Sequence, residues 1–171
     1  TNHAPTTAGI GTQTVNEDST LSFVIPANSF TDTDVGDSLH YTATLADGSP
    51  LPAWLSFNAA TRTFGGTPAN GDVGTLSIRV TATDHGSVSV STNFTLVVVN
   101  TNDAPTTTGI SNQTIASGNA LSFSLPNATF ADVDQGDSLT LTATQANGSS
   151  LPGWLSFNAA TKQFSGTPTN F

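Results

Sequence analysis

Cysteine and methionine are absent from the 171 residues. Without cysteine there is no disulfide framework, no zinc–thiolate site and no thiol nucleophile. Basic residues are nearly missing as well. Three Lys and Arg stand against twelve acids, a formal charge of −9. That balance excludes the basic patch through which proteins hold nucleic acid. Glu17 is the single glutamate, and every other acid is Asp. Strong helix formers are therefore scarce, and no apolar stripe recurs every 3.6 residues over any length. No apolar run is long enough to cross a bilayer as a helix, and no leader sequence is recognisable, so membrane insertion is not expected. The catalytic signatures G-x-S-x-G and H-E-x-x-H are missing, and so is a phosphate loop. His3, His40 and His85 lie on separate segments, and no carboxylate has a matched partner for acid–base work. The expectation is a protein that is not an enzyme.

What the chain does have is a repeat. "TNHAPTTAGI" at Thr1 returns as "TNDAPTTTGI" at Thr101, and "LPAWLSFNAATRTFGGTP" returns as "LPGWLSFNAATKQFSGTP". The offset is constant and no gap intervenes, which marks a tandem array. Residues 1–100 form repeat 1, and 101–171 form repeat 2, in which 72–100 have no second version. About 100 residues is the size of an immunoglobulin-like sandwich. Period-2 alternation supports that class. The spans 6–15 and 19–30 read as one strand each, "SLHYTATLA" as a third, and "WLSFN" and "RTFGGT" as a pair around "NAAT". Leu76, Ile78, Val80 and Ala82 alternate on one late strand, and Phe94, Leu96 and Val98 on the next. Trp54 and Trp154, flanked by Leu and Phe, read as core aromatics rather than sugar platforms. Lacking the two late strands, repeat 2 is expected to expose the apolar face around Trp154, Phe157 and Phe164 and to leave open strand edges. Three arrangements remain open. The chain is a fragment of a longer array; or repeat 2 borrows strands from another molecule, which repeated head to tail would build a filament; or the single pair of late strands serves repeat 2.

The acids are not scattered. A strand rises about 3.3 Å per residue, so the mostly extended runs from Glu17 to Asp32 and from Asp72 to Asp84 each span roughly 40 Å, the long axis of such a sandwich. Glu17 and Asp72 belong at one pole, and Asp32, Asp34, Asp37 and Asp84 at the other. The last strand returns to Glu17's pole with Asn100, Asn102 and Asp103, beside the Asp132, Asp134 and Asp137 set of repeat 2. Asp in loops is commonly a turn former or a cap. Here D-x-D-x-G-D occurs twice with no cation near it. An oxygen-only set of this kind suits Ca²⁺, with its six to eight oxygen ligands, better than the smaller Mg²⁺.

"VTATDHGSVSVSTNFTLVVVNTNDAP" resembles the end of a cadherin repeat, with its A-x-D turn, last strand and N-D-x-P linker. "TDTDVGDSLHYTA" resembles the cadherin D-x-D segment. "LPAWLSFNAATRTFGGTP" is similar to the dystroglycan-type cadherin-like ("putative-Ig") repeats of large bacterial surface proteins. The resemblance implies an all-β fold of tandem Ig-like, cadherin-like Greek-key β-sandwiches with Ca²⁺ at domain junctions. It implies Asp32, Asp34, Asp132 and Asp134 as D-x-D ligands and Asp84 as the A-x-D ligand. It also implies Asn2, Asn102 and Asp103 as linker ligands and Glu17 as the early acid. There are departures. The D-R-E motif has only Asp72 near its place, His3 stands where a linker acid would, and "IASGNA" replaces "VNEDST" in repeat 2.

The expected function is a calcium-binding extracellular repeat that rigidifies a cell-surface protein or assembles into a filament by strand completion. Its expected partners are neighbouring repeats of the same or an identical chain, and a glycan or cell-surface ligand. A carbohydrate-binding module is the alternative, and homophilic adhesion between cells a third reading. Asn93, Asn112, Asn127 and Asn147 are glycosylation sequons that matter only in a glycosylating host.

Overall fold

The structure, a computed structural model, describes residues 2–169. The chain divides into two compact units, Thr1–Thr101 and Asn102–Phe171. In repeat 1 the strands run β1 (Thr6–Thr7), β2 (Gln13–Asn16), β3 (Leu21–Val24), β4 (Phe30–Thr31) and β5 (His40–Leu45). They continue as β6 (Leu55–Asn58), β7 (Thr63–Gly66), β8 (Gly74–Thr83) and β9 (Ser89–Val99). One sheet has the order β2-β9-β8-β5 and the other β3-β7-β6; β1 pairs with β4. This is the two-sheet architecture that the period-2 pattern implies.

The long β8–β9 hairpin carries the alternation furthest. Ile78, Val80 and Ala82 on β8 and Phe94, Leu96 and Val98 on β9 are buried. Phe94 reaches across the sandwich and meets Phe23 and Phe64, with ring centroids 5.8 and 5.4 Å apart. Phe64 is 1% exposed at the centre of that aromatic group. On the outer face, paired hydroxyls join Thr81 to Ser91 and Thr83 to Ser89 at 2.8 Å. Cross-strand pairs of this kind secure the register.

Two expected strands break in the middle. Across 6–15, β1 joins β4 while β2 crosses to the other sheet and pairs in parallel with β9. The crossing lies at Gly9, whose φ of +85° suits a residue without a Cβ. Across 19–30, the ladder ends at Val24. Pro26 then opens a turn closed by Ser29 N–H, and pairing resumes at Phe30. Trp54, expected in the core, is half-buried, packed against its margin. Gly66 fits beneath it because a Cβ there would come within 1.8 Å of the Trp54 carbonyl oxygen.

Repeat 2 reproduces only part of this. β10 (Thr106–Thr107) pairs with β12 (Phe130–Ala131), and β11 (Leu121–Ser124), β14 (Gln163–Gly166) and β13 (Leu155–Asn158) form a sheet in that order. The registers match those of repeat 1: Phe23↔Phe64 becomes Phe123↔Phe164. The counterparts of β2 and β5, residues 113–116 and 140–145, belong to no strand. Their partners in repeat 1 are β9 and β8. A strand is defined by its ladder, so the same side-chain pattern without a neighbour leaves coil. Leu21, Leu55 and Phe64 are buried, whereas Leu121, Leu155 and Phe164 are half-buried.

Phe64→Ala should cost repeat 1 about 3–5 kcal/mol, the range for a fully enclosed Phe. Phe164→Ala should cost repeat 2 clearly less. Urea unfolding followed by Trp fluorescence, with Trp154→Phe or Trp54→Phe isolating each repeat, measures both. Equal losses would contradict the difference in burial.

Candidate metal-binding loops

The D-x-D-x-G-D loop folds by its own hydrogen bonds. Asp32 Oδ1 accepts the Asp34 N–H at 2.8 Å, and the Asp34 carbonyl accepts the Asp37 N–H at 3.2 Å. Gly36, at φ +87°, turns the chain between them. Repeat 2 repeats each feature: Asp134 N–H to Asp132 Oδ1 at 3.0 Å, Asp137 N–H to the Asp134 carbonyl at 3.3 Å, and Gly136 at φ +99°. The result is a group of three carboxylates, Asp32, Asp34 and Asp37, each offering an oxygen within 4.8 Å of the others. Asp132, Asp134 and Asp137 form the matching group. Two ligands of one Ca²⁺, each at about 2.3–2.6 Å, lie at most about 5 Å apart, so the spacing suits a shared ion.

Distant residues join the first group. Asp84, 3% exposed, accepts Asn2 Nδ2 on Oδ2 at 2.9 Å and the Val88 N–H on Oδ1 at 2.8 Å. The next residue, His85, donates its N–H to Asp37 Oδ1 at 3.1 Å. A Cβ on Gly86 would come within 2.5 Å of the Asn2 side chain, which would have to shift to make room. Asn2, Asp32, Asp34, Asp37 and Asp84 therefore meet at one end of repeat 1. Glu17 sits at the other end, buried, with Oε1 accepting the Thr101 N–H at 2.6 Å and Oε2 without a hydrogen-bond partner. Asp72 is not among the grouped carboxylates. Its Oδ2 accepts the Ala69 N–H at 2.9 Å and caps the 3-10 turn Asn70–Asp72, the role Asp commonly has in loops. Asn102 Nδ2 donates to the Asp103 carbonyl at 3.1 Å.

The two copies also differ in the linker residue beside the loop. In both, a linker N–H reaches the central carboxylate: His3 to Asp34 Oδ2 at 2.7 Å, and Asp103 to Asp134 Oδ2 at 2.8 Å. In repeat 1 the His3 ring then binds the other oxygen, Nδ1 to Asp34 Oδ1 at 2.6 Å. Asp103 brings no ring nitrogen to the equivalent place. Asp134 is 5% exposed and its Oδ1 has no hydrogen-bond partner. Asp32 Oδ2 is likewise buried without one. The sequence marks His3 only as a departure from a linker acid; its pairing with Asp34 depends on geometry that brings together residues 31 apart. Hydrogen bonding to Asp34, and the charge beside it, hold the His3 imidazole above its ordinary 6.5. The same ring, then the His3 N–H, hold the Asp34 carboxyl below 3.8.

A family model described as "Putative Ig domain" matches residues 4–99 and 104–171. A serine-rich adhesin for platelets from Staphylococcus aureus strain N315 is 33% identical over 168 residues, 98% of this chain and 6% of that protein. This chain thus spans a small part of that relative's length. The EC22-24 segment of mouse cadherin-23 is 21% identical, with a TM-score of 0.58 over 100% of this chain and 56% of its own. At that identity the likeness is one of fold. An endo-fucoidan hydrolase of glycoside hydrolase family 107 is 25% identical, with a TM-score of 0.50 over 98% of this chain and 25% of the enzyme. No helix among the described residues is long and apolar enough to cross a membrane.

The His3–Asp34 pair defines a pH window. The His3 contribution to stability is complete below pH 6.5 and is lost as pH rises through the raised folded value. The Asp34 contribution is present above pH 3.8 and is lost as pH falls through the lowered folded value. In metal-free buffer, an NMR titration of the His3 ring should give a midpoint above 6.5, and Asp34→Asn should return it to the ordinary value. An unshifted midpoint in the unsubstituted chain would show that the pair does not form.

Proposed function

The chain belongs to the family described as "Putative Ig domain", and on that premise we propose that it is a calcium-loaded, non-catalytic spacer repeat of an extracellular, adhesin-like surface protein. The observation that carries this reading is the carboxylate of Asp134: buried, one oxygen unpartnered, and grouped with Asp132 and Asp137. A buried charge of this kind is costly unless something compensates it. All the available donors are hard oxygens, which fits Ca²⁺. Asp132, Asp134, Asp137 and Asp103, with Asn102, would hold the ion of repeat 2. Asp32, Asp34, Asp37 and Asp84, with Asn2, would hold that of repeat 1, where Ca²⁺ must displace the His3 proton from Asp34. Glu17, with its own unpartnered oxygen, is a further ligand at the opposite end of repeat 1. Bound calcium supplies positive charge and cross-links loops distant in sequence. The protein residues supply a loop already folded to receive it.

The carbohydrate-binding reading lacks a platform, because no Phe, Tyr or Trp among the described residues is exposed. The likeness to an endo-fucoidan hydrolase covers a quarter of that enzyme.

Calcium should therefore raise the melting temperature relative to EGTA, with a dissociation constant of about 10⁻⁴–10⁻³ M, the range of extracellular modules. At tenfold that concentration the stabilisation is about 1.4 kcal/mol per site. Asp134→Asn should remove the repeat 2 site in isothermal titration and leave the repeat 1 site. Identical melting in EGTA and in 10 mM calcium would overturn the proposal.

A further inference from the structure

We propose that the open edge of β5 accepts an extended acidic peptide, whose carboxylate meets Arg62 in the groove beside that edge. The inference is independent of calcium and concerns repeat 1 alone. It starts from an oddity of placement. Two of the three basic residues, Arg62 and Lys162, hold the same position in the turns before β7 and β14. Both are left-handed, at φ +54° and +53°. Glycine adopts that conformation freely, and a residue with a Cβ does so at a cost. Arg62 is half-buried. Among the described residues it forms no ion pair, and its guanidinium has no hydrogen-bond partner. With Leu39, His40, Tyr41, Ala59 and Ala60 it lines an open groove of about 450 Å³ that no acid borders. In a chain with twelve acids, this cation is left to an outside partner.

The backbone beside the groove narrows the choice of occupant. β5 ends its sheet. It has six residues, whereas β2, β3 and β6, the other edges of the two main sheets, have four each. Its sequence, "HYTATL", lacks the Lys, Pro or acid that commonly shields an edge. Ala46 donates its N–H to the Ser77 carbonyl at 2.8 Å, towards β8, while Leu45 donates to the Ser49 carbonyl at 2.9 Å on the other side. Strand alternation turns the N–H and C=O groups of Tyr41 and Ala43 to that open side too. An added strand would pair with them. Its residue opposite Tyr41 would point to the same face as the Tyr41 side chain, which is the groove. A free anion would satisfy the guanidinium and leave the edge open, and a neutral strand would do the reverse. An acidic strand satisfies both.

The test adds an end-blocked synthetic peptide, Ser-Val-Thr-Glu-Thr-Val-Ser, to the full ¹⁵N-labelled chain. Saturable binding should shift the Tyr41 and Ala43 amide resonances and slow their hydrogen exchange. The peptide with Gln in place of Glu should bind at least about tenfold more weakly. So should the original peptide to Arg62→Gly, a substitution that the left-handed backbone accepts. Four results would each overturn the proposal: no saturable binding; equal binding after either change; tighter binding at Arg62 by an oligogalacturonate than by the peptide; or a dimer of the chain alone joined through β5.

Discussion

Closure of the apolar core by the β8–β9 hairpin is the constraint on which the rest of this protein depends. The hairpin brings Phe94 against Phe23 and Phe64, pairs with β2 on one side and β5 on the other, and ends in the turn that holds Asp84. Packing, edge protection and site geometry thus share one element. The chain contains its own control. Where the hairpin is present the framework is a sandwich; where it is absent, closely similar residues form a half-open sheet with two segments of coil. Strand formation here is a property of pairs of segments, not of segments alone.

The acids show a second economy. Eleven aspartates and one glutamate in a chain with three basic residues cannot all be neutralised by side chains. The two D-x-D-x-G-D loops hold their carboxylates in nearly the same geometry, and the linker residue sets the charge. His3 brings a proton of its own to Asp34, while Asp103 adds a further carboxylate near Asp134. One repeat is thus partly self-compensated and the other leans on its surroundings. Position 3 against 103 is thus a single-residue difference in charge beside two closely similar loops.

Much of this was legible in the sequence because one-sided burial writes a period of two. Ile78, Val80 and Ala82, and Phe94, Leu96 and Val98, fall inward as their alternation requires. The convergence of Asp32, Asp34, Asp37 and Asp84 followed from strand lengths, which act as rulers. What stayed hidden depended on partners. The chain between Thr7 and Gln13 changes sheet, a tertiary choice that Gly9 permits but does not announce. "SLTLTATQ" carries the pattern of a strand and lacks a neighbour. Asp72, expected as a ligand at Glu17's pole, accepts the Ala69 N–H three residues earlier, a local contact that the spacing did not reveal. The His3–Asp34 pair joins residues from two segments and has no sequence period at all.

The parallel pairing of β2 with β9 has a mechanical consequence. Gln13–Asn16 lies near the start of repeat 1 and Leu96–Val99 near its end, side by side and pointing the same way. Tension applied between the two termini pulls these strands past each other along their length. The hydrogen bonds of that ladder are then loaded together, in shear, rather than opened one at a time as in a peeled hairpin. Four residue pairs, from Gln13 with Leu96 to Asn16 with Val99, share that load.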